Sequence, residues 1–385
     1  MSKRKICVVV TARPSYSRIK TALQAIQDHP GLELQLVVAA SALLGRYGSV
    51  VDQIESDGFG IAAKVFMVLE GENPTSMAKT TGMGLMELST TFLNLQPDVV
   101  VTIADRYETI ATTIAGAYMN LPVAHIQGGE VTGSIDEKVR HANTKLADIH
   151  LVASEQARQR VIQLGEEPGM VFNTGCPSID LANEIAKNPE FDFDPMKKYT
   201  GVGNQLDLSH GYLVVLQHPV TNEYKQARQH VEQTLQAVSE ADMPVLWFWP
   251  NVDAGADGTS SGIRNFREQN GASQFHFYKN MSPYDFLRLL VNCKCLVGNS
   301  SGGIRECAYL GVPVVNIGSR QSGRQRGRNV IDVDYDHVQI LNATRQQVAA
   351  GRYESDPIYG DGFAGKKIAD VLASCELRIF KRLTY

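Results

Sequence analysis

Charge of one sign is not in excess in this sequence. Its 37 Lys and Arg stand against 41 Asp and Glu, a formal net charge of −4 over 385 residues. Bulk nucleic-acid binding therefore has no electrostatic basis, while local basic pockets stay open. No apolar run is long enough to span a bilayer, so no membrane association is expected. The basic start, MSKRK, is followed by an apolar run too short for a secretory signal. A cytoplasmic protein with reduced thiols is the expectation. Cysteine is sparse: six residues, Cys7, Cys176, Cys293, Cys295, Cys307 and Cys375. Several lie in apolar segments such as KICVVV and CKCLVG, where Cys acts as a small buried hydrophobe. Cys293 and Cys295, separated by one residue, make a poor zinc pair. The first strand is not followed by G-x-G-x-x-G, which argues against a dinucleotide site there.

What is there is an α/β rhythm, in a chain too long for one ordinary core. KICVVV, LQLVVAA, VFMV, PDVVVTI, PVAHI and IHLVA read as strands, with helices between them, one of them from Asp136 to Ala147. Continuous apolar strands alternating with helices indicate parallel sheets covered on both faces. The rhythm falters between Asn183 and His210, a Pro-, Gly- and Asp-rich stretch read as linker and surface loop. It then restarts with YLVVLQ, PVLWFW, QFHFY, CLVG and PVVNI as strands, and 365–383 reads as one or two helices. The expected architecture is two doubly wound, Rossmann-like domains with a cleft between them, ligands lying beyond the carboxyl ends of the strands.

The motifs fall just after strands. CLVGNSSGGIRE (295–306) is a strand, a small-residue turn and a helix start. Free N–H groups at that helix end, with the Ser300 and Ser301 hydroxyls, suit a diphosphate; ordinary serine capping is the plainer reading. Glu306 can accept bonds from ribose hydroxyls or be a surface carboxylate. In TARPSYSRI, Arg13 sits where a phosphate-facing side chain would sit, or is a surface residue. In LQHPVT, His218 ends a strand before a proline, placed for a phosphate, for acid–base work or for a structural bond. In VTIADRYET, Asp105 is an acid at a strand edge and also fits a helix N-cap. Arg320, Arg324, Arg326 and Arg328 form a basic loop. GDGFAGKK (360–367) imitates a P-loop but ends in Lys and follows no strand.

Taken together, ARPSYS, ADRYE, GGEVTGSIDE, RHANTKLAD, GCPSID, LQHPVT, PNVDAG, GNSSGGIRE and GSRQSGR resemble, in order and over nearly the whole chain, the hydrolysing UDP-N-acetylglucosamine 2-epimerases. That resemblance implies a glycosyltransferase-B-like fold. Its divisions are an N-terminal domain over 1–180, a nucleotide-binding domain over 181–364, and a C-terminal helix over 365–385 that returns to the N-domain. It implies a UDP-sugar substrate, a homodimer or homotetramer, and no metal or redox cofactor. Arg13 and Ser17 would approach the nucleotide phosphates from one domain, and His218, Ser300 and Ser301 from the other. Glu306 would bind ribose, with Arg320 near the nucleotide. The family's acids map onto Asp105 and Asp136. A third, often Glu, falls at Gln127, where this sequence departs. The expectation is that Gln127 positions substrate while Glu130 supplies the missing acid. The implied reaction converts UDP-GlcNAc and water to ManNAc and UDP. The same chemistry on UDP-2,4-diacetamido-2,4,6-trideoxyglucose is the alternative; a glycosyltransferase or a nucleotide-sugar sensor are the rivals.

Overall fold

A computed structural model describes residues 3–44, 50–70, 73–131, 135–250, 255–270 and 273–384. The middle of GGEVTGSIDE (132–134) and of PNVDAG (251–254) lies outside the described residues. The chain divides into two compact units. The first holds 1–131, 135–180 and 359–385, and the second holds Leu181–Ile358.

The first unit begins β1 (Arg4–Val10), α1 (Arg13–Asp28), β2 (Leu32–Ala39), α2 (Val50–Ser56), β3 (Ile61–Val65), α3 (Pro74–Leu95) and β4 (Val99–Ile103). It continues with α4 (Thr109–Tyr118), β5 (Val123–Ile126), α5 (Ile135–Leu146), β6 (Ile149–Val152), α6 (Glu155–Gln163), β7 (Val171–Asn173) and the start of α7 (Pro177–Lys187), a helix that passes into the second unit after Asp180. Its seven strands run in the order β3-β2-β1-β4-β5-β6-β7, all parallel. The central strands are apolar without alternation because helices cover both faces: β4 is buried at every position. The third strand lies earlier than VFMV, over Ile61–Val65, where burial alternates as it does on a sheet edge. Phe66, the centre of the expected run, is instead exposed.

The second unit holds α8 (Pro195–Lys198), β8 (Gly201–Gly203), β9 (Leu213–Leu216), α9 (Ala227–Ser239), β10 (Val245–Phe248), α10 (Ala256–Asn270), β11 (Phe275–Tyr278) and α11 (Pro283–Asn292). After them come β12 (Cys295–Gly298), α12 (Ser301–Ile304), α13 (Glu306–Leu310), β13 (Val314–Ile317), β14 (Val330–Val333) and α14 (His337–Ala350). Its sheet order is β14-β13-β12-β9-β10-β11-β8, with β8 antiparallel at the edge. The stretch read as a linker is thus built into this unit. Phe191, Met196, Tyr199, Leu206 and Leu208 pack on its core, and that burial outweighs the turn-rich composition.

The last helix, α15 (Ala364–Ser374), belongs to the first unit and is shorter than the stretch read as helical. Ile368, Ala369 and Leu372 join the core that holds Ile19, Leu23 and Ile26 of α1. Its N-terminal amides find a distant acceptor: Ala364 and Gly365 donate to Asp180 at 2.7 Å each. Arg4 donates to the carbonyls of Leu372 and Cys375 at the other end. Both orphan ends of the helix are therefore met from within the same unit. In the decoy GDGFAGKK, Lys366 pairs with Asp370 and Lys367 with Asp361, each at 2.7–2.8 Å. No helix among the described residues is long and apolar enough to cross a membrane.

Candidate active site

In each sheet the strand order reverses beside one strand, and in such sheets ligands bind beyond the carboxyl ends there. In the first unit that strand is β1, between β2 and β4; in the second it is β9, between β10 and β12. The sequence-derived residues collect at these two places.

In the first unit, Arg13 opens α1 directly after β1, with Ser17 one turn on; both are half-buried. Burial lowers the Arg13 pKa from its usual value, which leaves it a cation at neutral pH. Asp105 lies just past β4 and is 8% exposed. It does not cap α4, whose N-cap is Glu108. Its partner is Arg140 of α5, whose Nη2 donates to Asp105 Oδ2. Arg140 is itself buried, so each charge offsets the desolvation of the other. Asp136 stands one helical turn before Arg140, on the same face of α5 and half-buried. The helix thus brings one acid to the neighbourhood of the other.

Further contacts fix α5 against α4 and β5. Asn143 Nδ2 donates to Thr109 Oγ1 at 2.9 Å and its Oδ1 accepts from Thr113 at 2.8 Å. Thr144 Oγ1 meets His125 Nδ1 at 3.1 Å, and His125 Nε2 meets the Ala104 carbonyl at 2.9 Å. His125 is a buried structural histidine; burial, chiefly, pushes its pKa down to about 3, so it is neutral. The loops carry backbone strain where the acids sit. Ala104, the residue before Asp105, has φ 58°, and Gln127 has φ 67°.

The turn after β5 is tightly packed. A Cβ at Gly129 would come within 2.3 Å of the Ala157 carbonyl, so only glycine fits. Glu130 follows, 4% exposed, in the turn beyond β5, the strand that pairs with the β4 preceding Asp105. Gln127 is also buried, and its Nε2 donates to Cys176 Sγ at 2.9 Å. One of the two N–H donors of the amide expected to position substrate is therefore engaged inside the protein. His141 pairs with Glu137 along α5 at 3.3 Å.

In the second unit, Asn299 is the organising residue that the sequence reading missed. Its Oδ1 accepts from the His218 backbone N–H at 2.7 Å, and its Nδ2 donates to the His218 carbonyl at 2.8 Å. Its own carbonyl accepts from Arg320 Nη1 at 3.1 Å and Gln321 Nε2 at 2.9 Å. His218, Asn299, Ser300 and Arg320 are thereby gathered beyond β9 and β12. His218 is buried, and desolvation, reinforced by the Arg320 charge, lowers its pKa to about 3. A neutral imidazole and a guanidinium beside small residues form an anion-accepting corner. Gly298 has φ 139°, and a Cβ there would lie 2.2 Å from the Leu216 carbonyl, so glycine is what lets β12 approach β9.

The helix after this turn is not continuous. It breaks at Arg305 into α12 and α13, of four and five residues, which weakens the dipole expected at its start. Ser300 caps α12 by accepting from Gly302 N, and Ser301 Oγ accepts from Arg305 Nη2 at 3.0 Å. Capping is thus part of their work. Glu306 opens α13, half-buried, its carboxylate 3.6 Å from the Cβ position of Gly302. Arg324 and Arg326 of the basic loop are tied to the protein: Arg326 donates to the Arg324 carbonyl at 2.6 Å and pairs with Asp332 at 2.7 Å. Among the described residues, no three His, Cys, Asp or Glu side chains gather as a metal site would require.

Comparison with known proteins bears on both units. The family model described as UDP-N-acetylglucosamine 2-epimerase matches residues 24–373. The chain is 31% identical, over 97% of each sequence, to a UDP-N,N'-diacetylbacillosamine 2-epimerase (hydrolyzing) of Legionella pneumophila. It is 30% identical to a UDP-N-acetylglucosamine 2-epimerase of Neisseria meningitidis serogroup B, over 94% of this chain and 91% of the other. Among solved structures, a Methanocaldococcus jannaschii UDP-GlcNAc 2-epimerase in complex with UDP-GlcNAc and UDP superposes with a TM-score of 0.78 at 16% identity, covering 96% of this chain and 99% of that one. The fold is glycosyltransferase-B-like, built of two α/β domains.

Proposed function

Because the chain belongs to the UDP-N-acetylglucosamine 2-epimerase family, we propose that it is a hydrolysing 2-epimerase, converting UDP-GlcNAc and water to ManNAc and UDP. The observation that carries this reading is the face of α5, which holds Asp136 and, one turn on, the Arg140 that fixes Asp105. A glycosyltransferase or a nucleotide-sugar sensor has no need of two acids in one place.

The C2 proton of the sugar has no adjacent carbonyl to acidify it. The anomeric C1–O bond therefore breaks first, its electron pair leaving with UDP. Arg13, His218, Arg320 and the Ser300–Ser301 turn stabilise that departing diphosphate. Glu306 binds the ribose. A carboxylate then takes H2, leaving a C1=C2 glycal. Water adds its hydroxyl to C1 while a proton returns to C2 from the opposite face. Two acids on different sides of the sugar are required, and Asp105, Asp136 and Glu130 are the candidates. Gln127 holds the turn through Cys176, which leaves its second amide N–H and its amide oxygen for the sugar. No metal or redox cofactor enters these steps.

A second reading is favoured by the Legionella relative's name: the same reaction on UDP-2,4-diacetamido-2,4,6-trideoxyglucose. We place the activity in the cytoplasm, where nucleotide sugars are made, and expect a homodimer or homotetramer by light scattering. Incubation with each UDP-sugar, without acceptor, tests the proposal. Free UDP and an equal amount of free sugar support it. Epimerisation with UDP still attached points to the non-hydrolysing reaction, and binding without turnover to a sensor.

A further inference from the structure

Among the described residues, the C-terminal tail beyond α15 (375–384) has no regular structure, yet it is tied to a buried carboxylate. Lys381 Nζ donates to the carbonyls of Thr144 at 3.0 Å and Ala147 at 2.5 Å. Both carbonyls belong to the end of α5, whose last C=O groups have no partner within the helix. The same ammonium pairs with Glu166 Oε2 at 2.5 Å. Glu166 is only 2% exposed and also holds Lys145 of α5, at 2.6 Å, and His150 of β6, at 3.0 Å. A cation at a helix C-terminus is favoured by the dipole, and here it also satisfies orphan carbonyls. Thr384 completes the strap, its N–H reaching the Gly165 carbonyl and its hydroxyl the Glu166 carbonyl.

The helix so anchored is the one that carries Asp136 and Arg140. Thr144, whose carbonyl Lys381 holds, also bonds His125, and His125 bonds the carbonyl next to Asp105. We propose that Lys381 is a positioning residue: by clamping the C-terminal end of α5 to Glu166, the tail fixes the register of the helix that sets the two acids. Lys381 touches no reacting atom in this account. The step to catalysis rests on the function proposed above; the step to α5 does not.

Two readouts separate them. Lys381→Met keeps the aliphatic stem and removes the charge. We expect it to lower kcat about tenfold, with KM and UDP affinity little changed, because ground-state binding is not what the clamp serves. Lys381→Arg keeps the charge and should recover most of kcat. Arg378→Met, which breaks an exposed tail pair with Glu167 at 3.1 Å, should behave as wild type. Hydrogen exchange, read by mass spectrometry on the full chain, needs no turnover. The amides of α5 should exchange about tenfold faster in Lys381→Met, while those of α14 are unchanged. Wild-type exchange in α5, or a general loss of protection that Lys381→Arg does not restore, overturns the clamp. Faster α5 exchange with wild-type kcat refutes its catalytic role. A wild-type protein that turns over neither UDP-GlcNAc nor the diacetamido sugar overturns the proposed function, and the exchange result still decides the clamp.

Discussion

Asp105 illustrates how a single residue acquires its character from a distant one. Burial of a lone carboxylate is costly, and Arg140 is what makes it tolerable. Asp105→Asn should retain the fold and UDP affinity while lowering kcat about a hundredfold or more, the range of general acid–base groups. Asp136→Asn should do the same, and steady-state kinetics with calorimetric UDP titration check both. Near-wild-type turnover in both variants would remove them as acid–base groups. The histidines make a separate prediction. Burial first, helped in His218 by Arg320, holds His125 and His218 at pKa values of about 3, against 6.5 when unperturbed. Between those values the unfolded chain binds more protons than the folded one, so stability rises with pH across the window and falls on acidification below about 6.5. Glu166, lowered to about 2 although burial opposes it because His150, Lys145 and Lys381 hold its charge, adds a loss below its usual 4.5. Urea midpoints should therefore drop progressively from about pH 6.5 to about pH 4. A midpoint that is flat over that range would contradict the neutral, buried state of both imidazoles.

At the scale of elements, the crevice of the second unit depends on how closely β12 runs beside β9. Gly298→Ala brings a methyl group against the Leu216 carbonyl in a backbone conformation that alanine avoids. It should destabilise the protein by about 1–3 kcal/mol, the scale of such strain, and weaken UDP binding by shifting Asn299 from His218. Denaturant midpoints and calorimetry measure the two effects. The same elements mark how far sequence carries. Strands such as β4 and β9 were legible because parallel strands buried on both faces read as unbroken apolar runs. The edge strands were not: β3 alternates, and β8 is three residues of GVG within a turn-rich stretch. The motif residues His218, Ser300 and Arg320 were legible by their place after strands. Asn299, which joins them, was not, because its role lies in bonds to residues 81 positions away. Arg140, 35 positions from Asp105, was hidden for the same reason. The break at Arg305 left no mark in a segment whose composition suits one helix.

At the scale of the whole molecule, each α/β unit holds a set of candidate groups: one a neutral histidine and an arginine beside small residues, the other Asp105 just past β4 and Asp136 on α5. The proposed reaction couples loss of the C2 proton to loss of UDP. Turnover of UDP-GlcNAc in D2O, with UDP-2,4-diacetamido-2,4,6-trideoxyglucose run in parallel and products followed by NMR, measures both at once. The prediction is free UDP and, in equal amount, a free 2-acetamido sugar with inverted C2 that carries deuterium at that carbon. A product that retains hydrogen at C2, or that keeps UDP attached, would contradict it.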